Sequence, residues 1–193
     1  MKVWFDTEFT GLHKNTTLIS IGLVNEYNET FYAEFTDYDE SQCDDWIKEN
    51  VLNNLQFKNM TSDRWAETFM VDEDRHTRVR GNKDFVRYNL ELWLSRYPDE
   101  IQLISDVSHY DMVLFIDIWG GAFDIPDNVC ASCHDINQDI ARFYDITESR
   151  AFDISREEII KDSKYEVDGT KHNSLYDAKV IRAIYNKLHK YYK

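Results

Sequence analysis

Hydrophobic and polar positions divide the chain into a strand-rich beginning and a helix-rich remainder. Residues 2–9 alternate and carry β-branched and aromatic side chains, which predicts a strand. Residues 16–26, TTLISIGLVNE, form a nearly unbroken apolar run and predict a central strand buried on both faces. Residues 30–38, TFYAEFTDY, predict a third strand, with the polar stretch Asn25–Glu29 as the turn before it. These three make an antiparallel meander. Helical periodicity follows over 41–55 and 83–96, with Pro98 just past the second. A short buried strand, 101–107, leads at once into a helix over about 108–119 that stops at Gly120-Gly121. Further helices are predicted over 135–145, 155–163 and about 173–191. A meander followed by strand–helix units predicts an α/β fold with a mixed central sheet flanked by helices.

Four acids interrupt this pattern. In the last helix the stripe i, i+4, i+7, i+11 is Asp177, Ile181, Ile184, Leu188, so Asp177 fills an apolar slot. In the helix after residue 107 the stripe is Asp111, Phe115, Ile118, with Asp111 in the same situation. In the first strand Asp6 and Glu8, at i and i+2, share one face. Taken singly, each acid reads as a residue tied to an Arg or Lys. Taken together they do not, because clustered buried carboxylates repel unless a cation joins them. Hard oxygen ligands with no thiolate suit Mg²⁺ or Mn²⁺, and such a set can hold two ions. His172, five residues before Asp177, could do proton chemistry beside them, although Asn173 and Ser174 also make it an ordinary residue before a helix cap.

The 193 residues predict one domain, 1–193, and 42% hydrophobic content argues against disorder. The formal net charge of −14 disfavours broad duplex binding, but not an enzyme that grips a strand end through metals. No run is long enough for a membrane span, the opening Met1–Asp6 reads as no signal peptide, and three cysteines suit a reducing cytoplasm.

The stretches FDTEFTGL (5–12), SHYDMVLF (108–115) and HNSLYDA (172–178) resemble the three motifs of the DEDD 3′→5′ exonuclease superfamily. The spacing of His172 and Asp177 matches its histidine branch, since the tyrosine branch wants Tyr where Asn173 stands. Within it, FDTEF, LISIGLV and Tyr110, Asp111, Trp119 and Gly120 resemble a small bacterial and phage subgroup of exoribonucleases. The resemblance implies a ribonuclease H-like fold and release of nucleoside 5′-monophosphates from single-stranded ends, with RNA preferred, in a bacterial or host cytoplasm. It implies Asp6, Glu8, Asp111 and Asp177 as ligands of two Mg²⁺ or Mn²⁺ ions and His172 as general base. Asp106 is the alternative third acid. The segment after Glu8, with Phe9, Thr10 and Leu12, would hold the 3′ end; Phe9 replaces the first Thr of the pattern Asp-Thr-Glu-Thr-Thr-Gly-Leu. DNA as substrate, or a non-catalytic end-binding module of the same fold, are the alternatives. A homodimer is compatible with the surplus of aromatics and with related exonucleases, though no residue specifies it.

Three weaker features stand outside this reading. Cys130-Ala131-Ser132-Cys133-His134 matches a haem-attachment pattern or half a zinc site, and reads more simply as a chance pair. The basic stretch 75–83 is either a solvated loop or a set of phosphate contacts. Trp46, Trp65 and Trp93 read as core or interface residues rather than base-stacking platforms.

Overall fold

The computed structural model describes residues 1–59 and 66–190, so Trp65 lies outside the described residues. Seven strands form one mixed sheet: β1 (Lys2–Phe9), β2 (Leu18–Asn25), β3 (Thr30–Phe35), β4 (Thr68–Val71), β5 (Thr77–Gly81), β6 (Ile101–Ser105) and β7 (Val129–Asp135). Their order is β4-β5-β3-β2-β1-β6-β7. The β1–β2–β3 meander is antiparallel, while β6 lies parallel to β1, β7 parallel to β6 and β5 parallel to β3. Every residue of β2 is buried, as an apolar run flanked by strands on both sides requires. Alternation along β1 sends Val3 and Phe5 into one core and Trp4 into another on the opposite face.

Among the described residues, seven helices cover these faces: α1 (Asp45–Asn50), α2 (Lys83–Leu94), α3 (Ser108–Trp119), α4 (Ile136–Tyr144), α5 (Glu148–Asp153), α6 (Arg156–Ile160) and α7 (Ser174–His189). Helices α2 and α3 close the first core; α4 to α7 close the second. Local chemistry marks their ends. Asn82 and Asn173 accept the Phe85 and Tyr176 N–H groups at the starts of α2 and α7. Gly120, at φ +92°, ends α3 in the left-handed region that glycine tolerates.

Helix α7 lies unusually close to the sheet. A Cβ added at Gly22 would stand 2.3 Å from the Leu175 nitrogen and 2.4 Å from the Ser174 carbonyl carbon. Two residues back along β2, the Ser20 and Ser174 hydroxyls are 2.9 Å apart. Gly22 is the cross-strand partner of Asp6 and Ser20 of Glu8. Small residues on β2 thus seat the first turn of α7 directly beside the two acids of β1.

Three sequence expectations need correction. The helix expected over 41–55 is the six-residue α1 between two short 3₁₀ turns, Glu40–Gln42 and Leu52–Asn54. The Asp44 carboxylate resets the start by accepting the Ile47 N–H. The helix expected over 155–163 is the five-residue α6 alone, and α5 precedes it as a separate helix. The basic stretch 75–83 is mostly strand: Thr77, Val79 and Gly81 are buried, and the arginines between them mask the alternation. Its charges are engaged, Arg75 with Glu29 at 3.0 Å and Lys83 with Asp117 at 2.8 Å. Cys130 and Cys133 lie on β7, an edge strand; burial pushes the Cys133 thiol up to about 12.

Gly22→Ala should lower the melting temperature, with an overpacking cost of about 1–3 kcal/mol. Because its Cβ presses on the first turn of α7, the activity that the sequence resemblance implies should, at permissive temperature, fall further than the lost folded fraction explains. Thermal melts and activity at matched folded fraction check this.

Candidate active site

Strand β1 presents Asp6 and Glu8 on the face that α7 covers, and α7 presents Asp177 one turn in from its start. The three line a cavity of about 290 Å³ together with His172, Lys171 and Glu157. Ligand atoms of Glu8, His172 and Asp177 all fall within 4.8 Å of one another, and His172 Nδ1 is 3.9 Å from Glu8 Oε1. Two larger depressions, of about 400 and 520 Å³, flank Lys179 of α7 and contain none of the acids on β1, α3 or α7 named above.

Asp111 approaches from the opposite layer. It is 3% exposed and does not line the cavity. Its Oδ1 accepts from the Thr7 N–H at 3.2 Å and the Thr7 hydroxyl at 2.5 Å. Thr7 separates Asp6 from Glu8, so this pair locks the start of α3 to the acid-bearing strand. Asp111 Oδ2 is buried and meets no hydrogen-bond donor in good geometry. The expected cage of four is therefore three carboxylates at a cavity with a fourth behind Thr7.

Asp106, the alternative third acid, does line the cavity. Arg156 claims it with a two-pronged pair, Nε to Oδ2 and Nη2 to Oδ1, both at 2.7 Å. Asp106 therefore carries its own cation, whereas Asp111 carries none.

The uncompensated acids are all shifted upward. Burial, then Asp111, Asp177 and Glu8, raise Asp6 well above the usual carboxylate range. Burial, then Asp177 and Asp111, do the same to Glu8. Burial pushes Asp111 up to about 7 against the Thr7 and Ser105 hydroxyls, and pushes Asp177 up to about 7 against the His172 backbone. A buried acidic cluster with an orphaned oxygen and too few cations is what a divalent ion would relieve, and the all-oxygen donor set suits Mg²⁺ or Mn²⁺.

His172 stands apart from the helix. Its backbone is left-handed, φ +61°, and the loop is held by the Asn54 amide, which donates to the Lys171 carbonyl at 3.0 Å. The Asn173 amide in turn donates to the Asn54 carbonyl at 2.9 Å. The imidazole meets Trp46 edge-on at 4.9 Å, so Trp46, 51% exposed, belongs to the site's rim rather than the core; Trp93 is fully buried. Burial and the Lys171 charge hold His172 below its ordinary range.

The expected substrate contacts separate. Phe9 lines the cavity and stacks on Tyr110 at 5.3 Å. Leu12 is 78% exposed on the following loop. Thr10 is buried, and its hydroxyl is used inside the protein, donating to Gln42 at 2.5 Å and accepting the Thr17 N–H at 2.9 Å.

Known proteins share this arrangement of chain. The model of the Rv2179c-like 3′-5′ exoribonuclease domain matches residues 1–188. The chain belongs to that family. A relative from Mycobacterium tuberculosis, 3′-5′ exoribonuclease Rv2179c, is 26% identical over 138 residues, 72% of this chain and 73% of that one. Among solved structures, the nuclease domain of 3′hExo, a DEDDh family member bound to rAMP, aligns with a TM-score of 0.59 at 18% identity, over 98% of this chain and 91% of that one. Pop2p of S. pombe, in a Mg²⁺- and Mn²⁺-bound form, aligns at 0.59 and 16% identity, over 99% and 83%. The likeness to both establishes the fold, a ribonuclease H-like mixed sheet flanked by helices.

Sequence reasoning missed Arg156, Glu157 and Lys171. One signal was available for the first: an arginine opens α6, where the helix dipole prefers an acid. A cation placed against that preference has a partner elsewhere, here Asp106.

A carboxyl raised toward 7 keeps its proton in the folded chain where the unfolded chain has already lost it. Its stabilising contribution is full below the unfolded value of about 4 and is lost as pH climbs through the folded value. Without divalent ions, the melting temperature should therefore fall between pH 5.5 and pH 8. Added Mn²⁺ should raise it more at pH 8 than at pH 5.5, and equal shifts at both would contradict the assignment of the acids.

Proposed function

We propose that the chain is a divalent-metal-dependent 3′→5′ exoribonuclease that releases nucleoside 5′-monophosphates from single-stranded RNA ends. The observation that carries the reading is the set of buried acids Asp6, Glu8, Asp111 and Asp177 at and behind one cavity, with one buried carboxylate oxygen unpartnered and all four shifted upward chiefly by burial. RNA rather than DNA is supported by the family, whose model is described as an exoribonuclease domain.

Asp6, Glu8, Asp111 and Asp177 would hold two Mg²⁺ or Mn²⁺ ions, which supply charge neutralisation at the phosphorus and orient the nucleophile. His172 takes the proton from the attacking water. Its depressed pKa leaves the imidazole neutral, and able to accept, at neutral pH. The bond that breaks joins phosphorus to the 3′ oxygen of the penultimate nucleotide, so the phosphate leaves on the 5′ side of the released residue. Phe9, stacked on Tyr110, offers an aromatic face to the terminal nucleotide, and Leu12 reaches out beside it. The cavity has room for a strand end, which supports single-stranded substrates. The whole chain acts as one exonuclease domain, and its three free cysteines suit a reducing cytoplasm.

The test is a 5′-labelled RNA oligonucleotide with Mg²⁺ or Mn²⁺, alongside a DNA of the same sequence. The expected result is a ladder shortening from the 3′ end, faster on RNA. Asp6→Ala and Asp177→Ala should abolish it, and His172→Ala should slow it by about 10²–10⁴-fold. The parent's rate should rise with pH through a midpoint below 6.5, the ordinary histidine value. Full activity in Asp177→Ala would sink the reading.

A further inference from the structure

A protein with a net charge of −14 must still receive a polyanion at four carboxylates. Among the described residues lining the cavity, Arg156 and Lys171 are the only permanent cations. Arg156 is committed. Besides Asp106, it donates through Nη1 to the Ala151 and Ile154 carbonyls at 2.8 and 2.6 Å and through Nη2 to Asn137 Oδ1 at 2.6 Å, and its side chain is 11% exposed. It holds α4, α5 and α6 to the end of β6 and has no donor left to swing toward a strand.

Lys171 is placed the other way. Its Nζ stands 3.7 Å from Glu157 Oε1, beyond hydrogen-bonding distance, and its side chain is 57% exposed. The second Glu157 oxygen accepts the Ser155 hydroxyl at 2.8 Å, so the acid is held from behind and faces the lysine across the mouth. The lysine's field reaches the catalytic groups: it lowers Glu8, Asp177 and Glu157 and disfavours protonation of His172. Its backbone is pinned by Asn54 while its side chain is not.

Building on the exoribonuclease reading, we propose that Lys171 binds a backbone phosphate of the incoming strand, and that Glu157 parks it in the absence of substrate. The ammonium exchanges a long, half-solvated carboxylate contact for a phosphate oxygen. Glu157 is then a brake on binding and not part of the grip. The lysine and its acid have opposite effects on the strand, which a purely structural ion pair would not show.

Equilibrium binding of a short RNA with a phosphorothioate at its 3′-terminal linkage, measured in Ca²⁺ so that affinity is read without hydrolysis, tests this over a salt series. Lys171→Met should weaken binding about tenfold near 0.1 M salt and flatten the slope of log affinity against log salt by about 0.7, one phosphate contact on a single strand. Lys171→Arg should keep the slope. Glu157→Gln should tighten binding about threefold, and by less in the Lys171→Met background. Unchanged affinity and slope in Lys171→Met overturn the assignment, and so does weakening by both single variants, which is the mark of a structural pair. If the parent chain binds and shortens RNA while Lys171→Met behaves like it, the lysine assignment alone fails. If the parent neither binds nor shortens RNA, the exoribonuclease reading fails with it.

Discussion

The backbone of α7 rests on the backbone of β2 at Gly22, and the geometry of the site depends on that contact. No side chain separates them: an added Cβ at Gly22 would lie far inside van der Waals contact with the Leu175 and Ser174 backbone. Asp6 is the register partner of Gly22, and Glu8 of Ser20, whose hydroxyl meets Ser174. Asp177 follows one turn later, over the same two acids. A helix seated on larger residues would stand farther from the sheet, and the carboxylates of β1 and α7 would be drawn apart.

Electrostatics then sort the acids by role. Asp106 and Asp111 are five residues apart at the end of β6 and the start of α3. One is neutralised by a committed arginine; the other is buried without a counter-charge. Asp139, on the far side of α7, shows a third solution: its carboxylate meets His134 at 2.7 Å and His189 at 3.1 Å and titrates below the ordinary range despite burial. Asp106 and Asp139 have such partners, whereas Asp6 and Asp177 at the cavity and Asp111 behind Thr7 have no ion pair among the described residues.

Much of this was legible in the chain. The meander, α2, α3 and α7 follow from unbroken apolar runs, 3.6-residue stripes and asparagine caps, all local signals. Asp6, Glu8, Asp111 and Asp177 stood out because each occupies a slot that its own stripe or strand wants apolar. Strands β5 and β7 were hidden because pairing, not composition, makes them strands: TRVRG and VCASCHD carry too few apolar positions to announce themselves. The roles of Arg156, Glu157 and Lys171 were hidden for a similar reason. Arg156 meets Asp106 across 50 residues, and Glu157 meets Lys171 across a loop, so neither relation has a sequence period. The motif assigns Thr10 by position and says nothing of its partners, so the engagement of its hydroxyl with Gln42 was not legible either.

The left-handed backbone of His172 has a consequence for how such a chain can change. Glycine fits that conformation freely and asparagine tolerates it, while imidazole makes it cost about 1–3 kcal/mol. Selection for a sturdier molecule alone would replace His172 with one of those two. With His172 as the proposed general base, position 172 gives up endurance for chemistry, and a glycine or asparagine at the equivalent position would mark a relative that has kept the fold without the reaction.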